Sequence, residues 1–181
     1  DDPRELNIPY CDTYYEIPFA RNPLNPVNFR AYRELKKIID REQYQIIHCH
    51  TPVGAMITRL AAREARKKGT KVIYTAHGFH FFKGSSLVSW LAYYPVEWVL
   101  AHDTDVLLTM NREDYALAQR KMHAKRVEYV PGVGIDTRRF SENRKDAGEK
   151  RRELGFRQED FLILTVAEMT RNKNHSTVLK A

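Results

Sequence analysis

The run Lys71–Gly84, KVIYTAHGFHFFKG, constrains the fold more than any other stretch of this chain. Val72 to Thr75 is apolar, β-branched and aromatic, without Pro or Gly, which is the composition of a buried strand. The run stops at Ala76-His77-Gly78, and a polar-aromatic loop follows. In an open parallel sheet, ligands bind in the crevice beyond the carboxyl ends of the strands. His77 is expected at that edge, with Gly78 letting a ligand approach the backbone. For a lone histidine the plainer reading is a residue that closes a strand. The neighbouring segments weigh against it here, because they end in similar ways.

Those segments alternate strand and helix. Tyr14–Phe19 is the first strand-like run, and Arg21–Pro26, with two Pro and two Asn, is a loop. Asn28 is expected to cap a helix to about Gln43. Gln45–His50 is the next strand, followed by Thr51-Pro52 as N-cap and first helical residue of a helix that Gly69 stops. After the central strand, an apolar helix over about Ser86–His102 has Trp90, Leu91, Tyr94 and Trp98 near helical spacing, with Pro95 expected to kink or split it. Asp105–Met110 is a strand, and Asn111 with Asp114 opens a helix to about His123. Arg126–Val130 is a strand running into the permissive Pro131-Gly132-Val133-Gly134-Ile135-Asp136. Ser141–Gly148 reads as a linker, a short helix ends near Leu154-Gly155, Phe161–Val166 reads as a buried strand, and a helix begins at His175.

This alternation predicts an α/β fold: a Rossmann-like parallel sheet with helices on both faces. The expected division is a first domain over residues 1–140, a linker over 141–158 and the start of a second, truncated domain over 159–181. Asp1–Pro9 reads as the tail of something earlier, and the last β-α unit only begins, so the chain reads as a fragment.

At 181 residues the chain is long enough for one α/β domain with a real core. The two cysteines, Cys11 and Cys49, have no CxxC spacing and are expected as reduced thiols of a cytoplasmic protein, with a single disulfide as the alternative. The opening residues are acidic where a targeting segment is basic, and no apolar run reaches the length of a bilayer span. The net charge of +7 suits an anionic partner such as a membrane surface, nucleic acid or a phosphorylated substrate. For any one basic cluster, solvated helix surface is the plainer reading.

Four strands end with residues able to face one crevice: His50, His77, Asn111, and Gly134 with Asp136. A metal site competes, since His48, Cys49, His50, His77 and His80 are ligand types. However, residues 48 and 50 of a strand share one face while Cys49 points to the other, and no HExxH or paired CxxC is present. No GxSxG elbow is present, and no nucleic-acid-binding motif. From the residues alone, a noncatalytic basic binding module and a metal-dependent hydrolase remain as alternatives to an enzyme acting at the crevice.

The stretches IIHCHTPVGAMITRLAAR, KVIYTAHGFHFF, VEYVPGVGIDTRRF and RRELGF…FLILTVAEMTRNKNH, in this order, resemble family 4 glycosyltransferases of the bacterial capsular or exopolysaccharide type, over nearly the whole chain from about Tyr14. The resemblance implies retaining transfer on a GT-B fold, in which two Rossmann-like domains face a cleft. The N-terminal domain holds the acceptor and the C-terminal one the nucleotide-sugar donor. It implies no metal or other cofactor, a polysaccharide or lipid-linked acceptor, and work at the cytoplasmic face of the membrane as a peripheral protein. His77 matches the histidine of the family's strand-end HG motif, close to the donor sugar and phosphates, and is the catalytic candidate. Gly134 and Asp136 match the segment before the interdomain linker, and Lys173 matches a basic residue that contacts the donor diphosphate. His50, Gly78 and Asn111 join them as substrate-binding candidates. Where many members have Gly-Arg, this sequence has Ala167-Glu168, which puts the usual arginine contact to phosphate in question. The trio Trp90, Tyr94 and Trp98 and the basic clusters are the expected membrane contacts; the competing reading, and the plainer one for the helix, keeps the aromatic stripe in the core or cleft and leaves the charges as solvated helix faces.

Overall fold

The computed structural model describes residues 10–139, 147–170 and 173–180. Residues 1–9 and most of the expected linker over 141–148 lie outside them. The chain divides into two compact units, Asp1–Gly134 and Ile135–Ala181.

The first unit runs α1 (Val27–Glu42), β1 (Ile46–His50), α2 (Pro52–Ala61), α3 (Arg63–Lys67), β2 (Lys71–Ala76), α4 (Leu87–Ala101), β3 (Val106–Thr109), α5 (Arg112–Lys121) and β4 (Arg126–Tyr129). The four strands form one parallel sheet in the order β1-β2-β3-β4. This is the expected α/β, Rossmann-like architecture. The register sets Cys49 opposite Tyr74 and Tyr74 opposite Leu107. Because side chains alternate across a strand, Cys49, Val72, Tyr74, Ala76 and Leu107 fall on one face, where they join Ile39, Ala55, Ala65, Ala101 and Ala118 of the helices in a single core. The other face carries Ile46, His48, His50, Ile73 and Thr75.

Two polar devices lock this unit. Arg59 of α2 is 1% exposed; its Nη2 donates to Glu97 Oε2 of α4 at 2.9 Å, and its Nε donates to the Ala55 carbonyl. Its guanidinium lies 4.2 Å from the centroid of the Tyr74 ring, and the Tyr74 hydroxyl donates to Glu97 Oε1. One helix-to-helix ion pair is thus clamped onto the central strand. The second device is Asp105, just before β3. It accepts from the Val72 backbone N–H, from Arg66 and from Lys125. Burial alone would raise its pKa, but these donors outweigh it and hold the carboxyl well below the usual carboxylate range.

Several local expectations are corrected. Tyr14–Phe19 forms no strand. Pro18 removes a donor near its end, and the chain just after it is tied to α1 instead: Asn28 accepts from the Ala20 N–H and donates to the Ala20 and Asn22 carbonyls. Asn28 therefore clamps the loop and caps nothing; the N-cap position is Pro26. Thr51 occupies its cap position without a side-chain cap, because its φ of 63° turns the hydroxyl over Gly54. The helix after it breaks at Ala62 into α2 and α3. α4 runs unbroken through Pro95, which is exposed, so water can reach the carbonyl the proline leaves unbonded. In α4 the inward stripe is Trp90, Tyr94, Glu97 and Ala101, while Leu91 is 78% exposed; one residue is about 100° around a helix.

The second unit contains α6 (Ala147–Glu153) and α7 (His175–Lys180). Gly155 ends α6 with φ +78°, as Phe156 N–H returns to the Arg151 carbonyl. Phe161–Val166, expected as a buried strand, forms none, and Phe161, Leu164 and Val166 are exposed. A strand exists only through a ladder, and no described residue of this unit offers one.

Candidate functional site

The parallel order brings the ends of β1 and β2 side by side. His50 is in register with Thr75, on the face turned away from the core. His50 Nδ1 and His77 Nε2 lie 3.1 Å apart, within hydrogen-bonding distance. His48, two residues earlier on the same face, places Nε2 2.8 Å from the Thr75 hydroxyl, and its ring centroid is 4.3 Å from that of His50. The sheet thus assembles a row Thr75, His48, His50, His77 from two strands 27 residues apart in sequence. Burial and the neighbouring His48 and His77 push the His50 pKa down, favouring a neutral ring.

The backbone around this row is unusual in two places. Thr51, directly after His50, holds φ 63° and ψ 145°, a costly conformation for a β-branched residue. Gly78, directly after His77, has φ +155° with open space where a Cβ would stand, so a ligand can lie against its backbone.

The loop after β2 is anchored by alternate residues. Phe79 and Phe81 are buried and stack at 4.7 Å, while His80 turns outward and stacks on Tyr93 of α4 at 4.6 Å. The first turn of α5 holds the loop backbone. Asp114 accepts from the Phe79 N–H at 2.9 Å, and Glu113 accepts from the Lys83 N–H at 2.7 Å. Asn111 caps α5 by accepting from the Asp114 N–H, and its Nδ2 donates to the Asp114 carboxylate. The Asn111 side chain is therefore engaged in positioning Asp114, and through it the loop that bears His77.

Beside this row opens a cavity of about 620 Å³. Its wall includes Arg21 and Phe19 from the loop before α1, His48 and His50 of β1, the first residues of α2, and the stacked His80 and Tyr93. It combines apolar and aromatic surface with a few polar groups, as ligand sites do. Among the described residues no three His, Cys, Asp or Glu side chains are grouped as metal ligands. Cys49 faces the core, and burial pushes its thiol up to about 11, a poor nucleophile at neutral pH.

Comparison with known proteins decides the family. The family model for Glycosyltransferase Family 4 matches residues 1–139. The chain belongs to glycosyltransferase family 4. It is 46% identical over 179 residues to the protein named "Putative glycosyltransferase EpsD" of Bacillus subtilis (strain 168), covering 98% of this chain and 47% of that protein. It is 26% identical over 149 residues to the UDP-Gal:alpha-D-GlcNAc-diphosphoundecaprenol alpha-1,3-galactosyltransferase of Escherichia coli, covering 81% of this chain and 38% of that protein. The chain thus spans less than half the length of either relative.

In this family 4 chain, the expected site residues divide between the units. His50, His77, Gly78 and Asn111 stand at the carboxyl edge of the sheet in the first unit, and Gly134, with φ +72°, is the last residue of that unit, beyond the end of β4. Asp136 and Lys173 belong to the second unit, where Asp136 Oδ1 accepts from the Arg138 N–H and Lys173 is exposed. Sequence reasoning did not single out Arg21, Tyr93 or Thr75. Tyr93 lies beside the inward stripe of α4, and Thr75 lies inside an apolar strand, so neither stands out in a periodicity. The loop anchor Asp114 was visible only as part of a cap signature.

Proposed function

We propose that the protein carrying this chain transfers a sugar from a nucleotide-sugar donor to a polysaccharide or lipid-linked acceptor, with retention, in the synthesis of a surface polysaccharide. The single observation that carries this reading is the His50–His77 pair at the shared end of two parallel strands, with His50 in the wall of a cavity able to hold a sugar-sized acceptor. The likeness to the EpsD protein, and to a relative whose name gives a diphosphoundecaprenol-linked acceptor, supports the acceptor class. Retaining transfer requires a firmly held leaving diphosphate and a shielded, oxocarbenium-like centre, which positioning and electrostatics can supply without a strong base. His77 hydrogen-bonds a sugar or phosphate group of the donor in this scheme. His50 and Gly78 line the acceptor side, and Gly134, Asp136 and Lys173 serve the donor. Incubating the intact protein with a panel of nucleotide sugars and lipid-linked oligosaccharides, with NMR analysis of the new linkage, is expected to give a product of the donor's own anomeric configuration. An inverted product overturns retention, and absence of transfer to every acceptor favours a noncatalytic binding module.

We also propose peripheral attachment to the inner face of the membrane. Among the described residues no helix is long and apolar enough to cross one. Of the expected aromatic contacts, Trp90 and Tyr94 pack against the core, and Trp98 stacks edge-on against His102 and His123. Many clustered cations meet acids: Arg63 and Arg66 reach Asp103, Lys125 reaches Asp105 and Arg126 reaches Glu128. The supporting surface is instead the outer side of α4, where Leu87, Val88 and Leu91 are 80%, 74% and 78% exposed. Burying one leucine in lipid contributes about 1.5–3 kcal/mol. Leu91→Asp is therefore expected to weaken co-sedimentation with lipid vesicles roughly tenfold or more, with the unfolding midpoint unchanged. Unaltered binding by this variant sinks the proposal.

A further inference from the structure

We propose that His50 is a positioning residue for His77: it accepts at Nδ1 from the His77 Nε2–H, and so assigns Nδ1 of His77 as the nitrogen offered to substrate. The inference rests on the reading of His77 as a sugar-transfer residue and deepens it.

The geometry leaves few alternatives. The contact between His50 Nδ1 and His77 Nε2, at 3.1 Å, has room for one proton. Whichever ring holds that proton, Nε2 of His77 is occupied, and only Nδ1 is left to act outward. Among the described residues, Nδ1 of His77 has no protein partner. The environment then selects the donor. His50 faces His48 on its own strand and His77 on the next, and it shares its cavity with Arg21, His80 and Tyr93. Burial and the adjacent His48 and His77 rings hold His50 neutral, in line with its lowered pKa. A cationic His77 carries a proton on both ring nitrogens, so its Nε2–H can only donate to a neutral His50, and the uncharged pair keeps that arrangement. His77 thereby has one end fixed by an acceptor, as the imidazole of a nucleophile–base pair is fixed by its orienting partner. When it gains a proton at Nδ1, the resulting cation keeps its Nε2–H bonded to His50 and presents its other N–H to a sugar or phosphate oxygen. His48 completes the support: its Nε2 meets the Thr75 hydroxyl, which fixes the ring packed against His50.

The test has a spectroscopic arm and a kinetic arm. Long-range proton–nitrogen spectra of the 181-residue chain with labelled histidine, with His77 assigned by comparison with His77→Ala, report the tautomer directly. At neutral pH the expected His77 pattern is a protonated Nε2 and a bare Nδ1. His50→Ala is expected to convert it to the averaged pattern of a free imidazole. His50→Asn, whose carboxamide oxygen stands near the place of Nδ1, is expected to preserve it. In the intact protein, His50→Ala is expected to lower kcat about tenfold, as for one lost hydrogen bond, and His50→Asn is expected to recover most of that loss. A His77 protonated at Nδ1 in the unaltered chain overturns the proposal, as does a His77 pattern indifferent to His50→Ala. Should His50→Ala fail to fold, the spectrum of the unaltered chain decides alone. Should the protein transfer no sugar at all, the functional reading fails while the tautomer measurement still judges the histidine pair.

Discussion

Arg59→Ala is expected to destabilise the first unit by about 3–5 kcal/mol, the usual cost of leaving one partner of a buried ion pair without the other. Three losses coincide. Glu97, 8% exposed, keeps its charge without its cation. Tyr74 loses the guanidinium packed on its ring, and α2 loses its tie to α4 through the centre of the core. Urea unfolding followed by tryptophan fluorescence measures this cleanly, because Trp90 and Trp98 both lie on α4 and report the first unit. The expected signature is a lower midpoint at unchanged slope. Replacing both partners with methionine is expected to cost far less than either single change, since it removes the unpaired charge along with the pair. A loss below about 1 kcal/mol for Arg59→Ala would mean that water reaches Glu97 in the variant, and would place the pair among ordinary surface bridges.

His77→Ala is expected to reduce kcat for sugar transfer by roughly 100- to 1,000-fold, the scale seen when a single preorganised donor to developing charge is removed. His77 is exposed and, among the described residues, its ring bonds only to His50, so the variant is expected to unfold at the same urea concentration as the unaltered protein. The two readouts separate a functional role from a structural one. A fall in kcat with an unchanged midpoint supports the role of His77 at the donor. A fall in the midpoint with near-normal kcat would make His77 a residue that merely finishes the strand. The fixed loop favours the first outcome. Phe79 and Phe81 are sunk in the core, and the Phe79 and Lys83 N–H groups are held by Asp114 and Glu113, so the imidazole stands on a rigid base. Rigid support of this kind is what a positioned catalytic group requires.

Much of the first unit was legible from local rules. The β-branched run at Val72–Thr75, the Pro52 start, the stop at Gly69 and the Asn111–Asp114 cap each act over a few residues. Their physics is contained in the chain segment itself: side-chain alternation, a missing N–H, a left-handed glycine and a carboxamide that bonds its own helix. All four strands of the sheet and the His77-Gly78 edge were read in this way. The family resemblance came from the same segments.

What only the tertiary structure decided concerns partners. Tyr14–Phe19 and Phe161–Val166 have strand composition and no ladder, because a strand is defined by the backbone beside it and not by its own side chains. Asn28 could have capped a helix, yet its carboxamide found the Ala20 and Asn22 backbone. Arg59 and Glu97 look like surface residues in sequence and meet across 38 positions in the core. The site follows the same rule. His50 and His77 were each visible as strand ends, but their contact depends on β1 and β2 being neighbours in a register that sets His50 opposite Thr75. Strand order and register are set by how whole faces pack, and no local pattern encodes them.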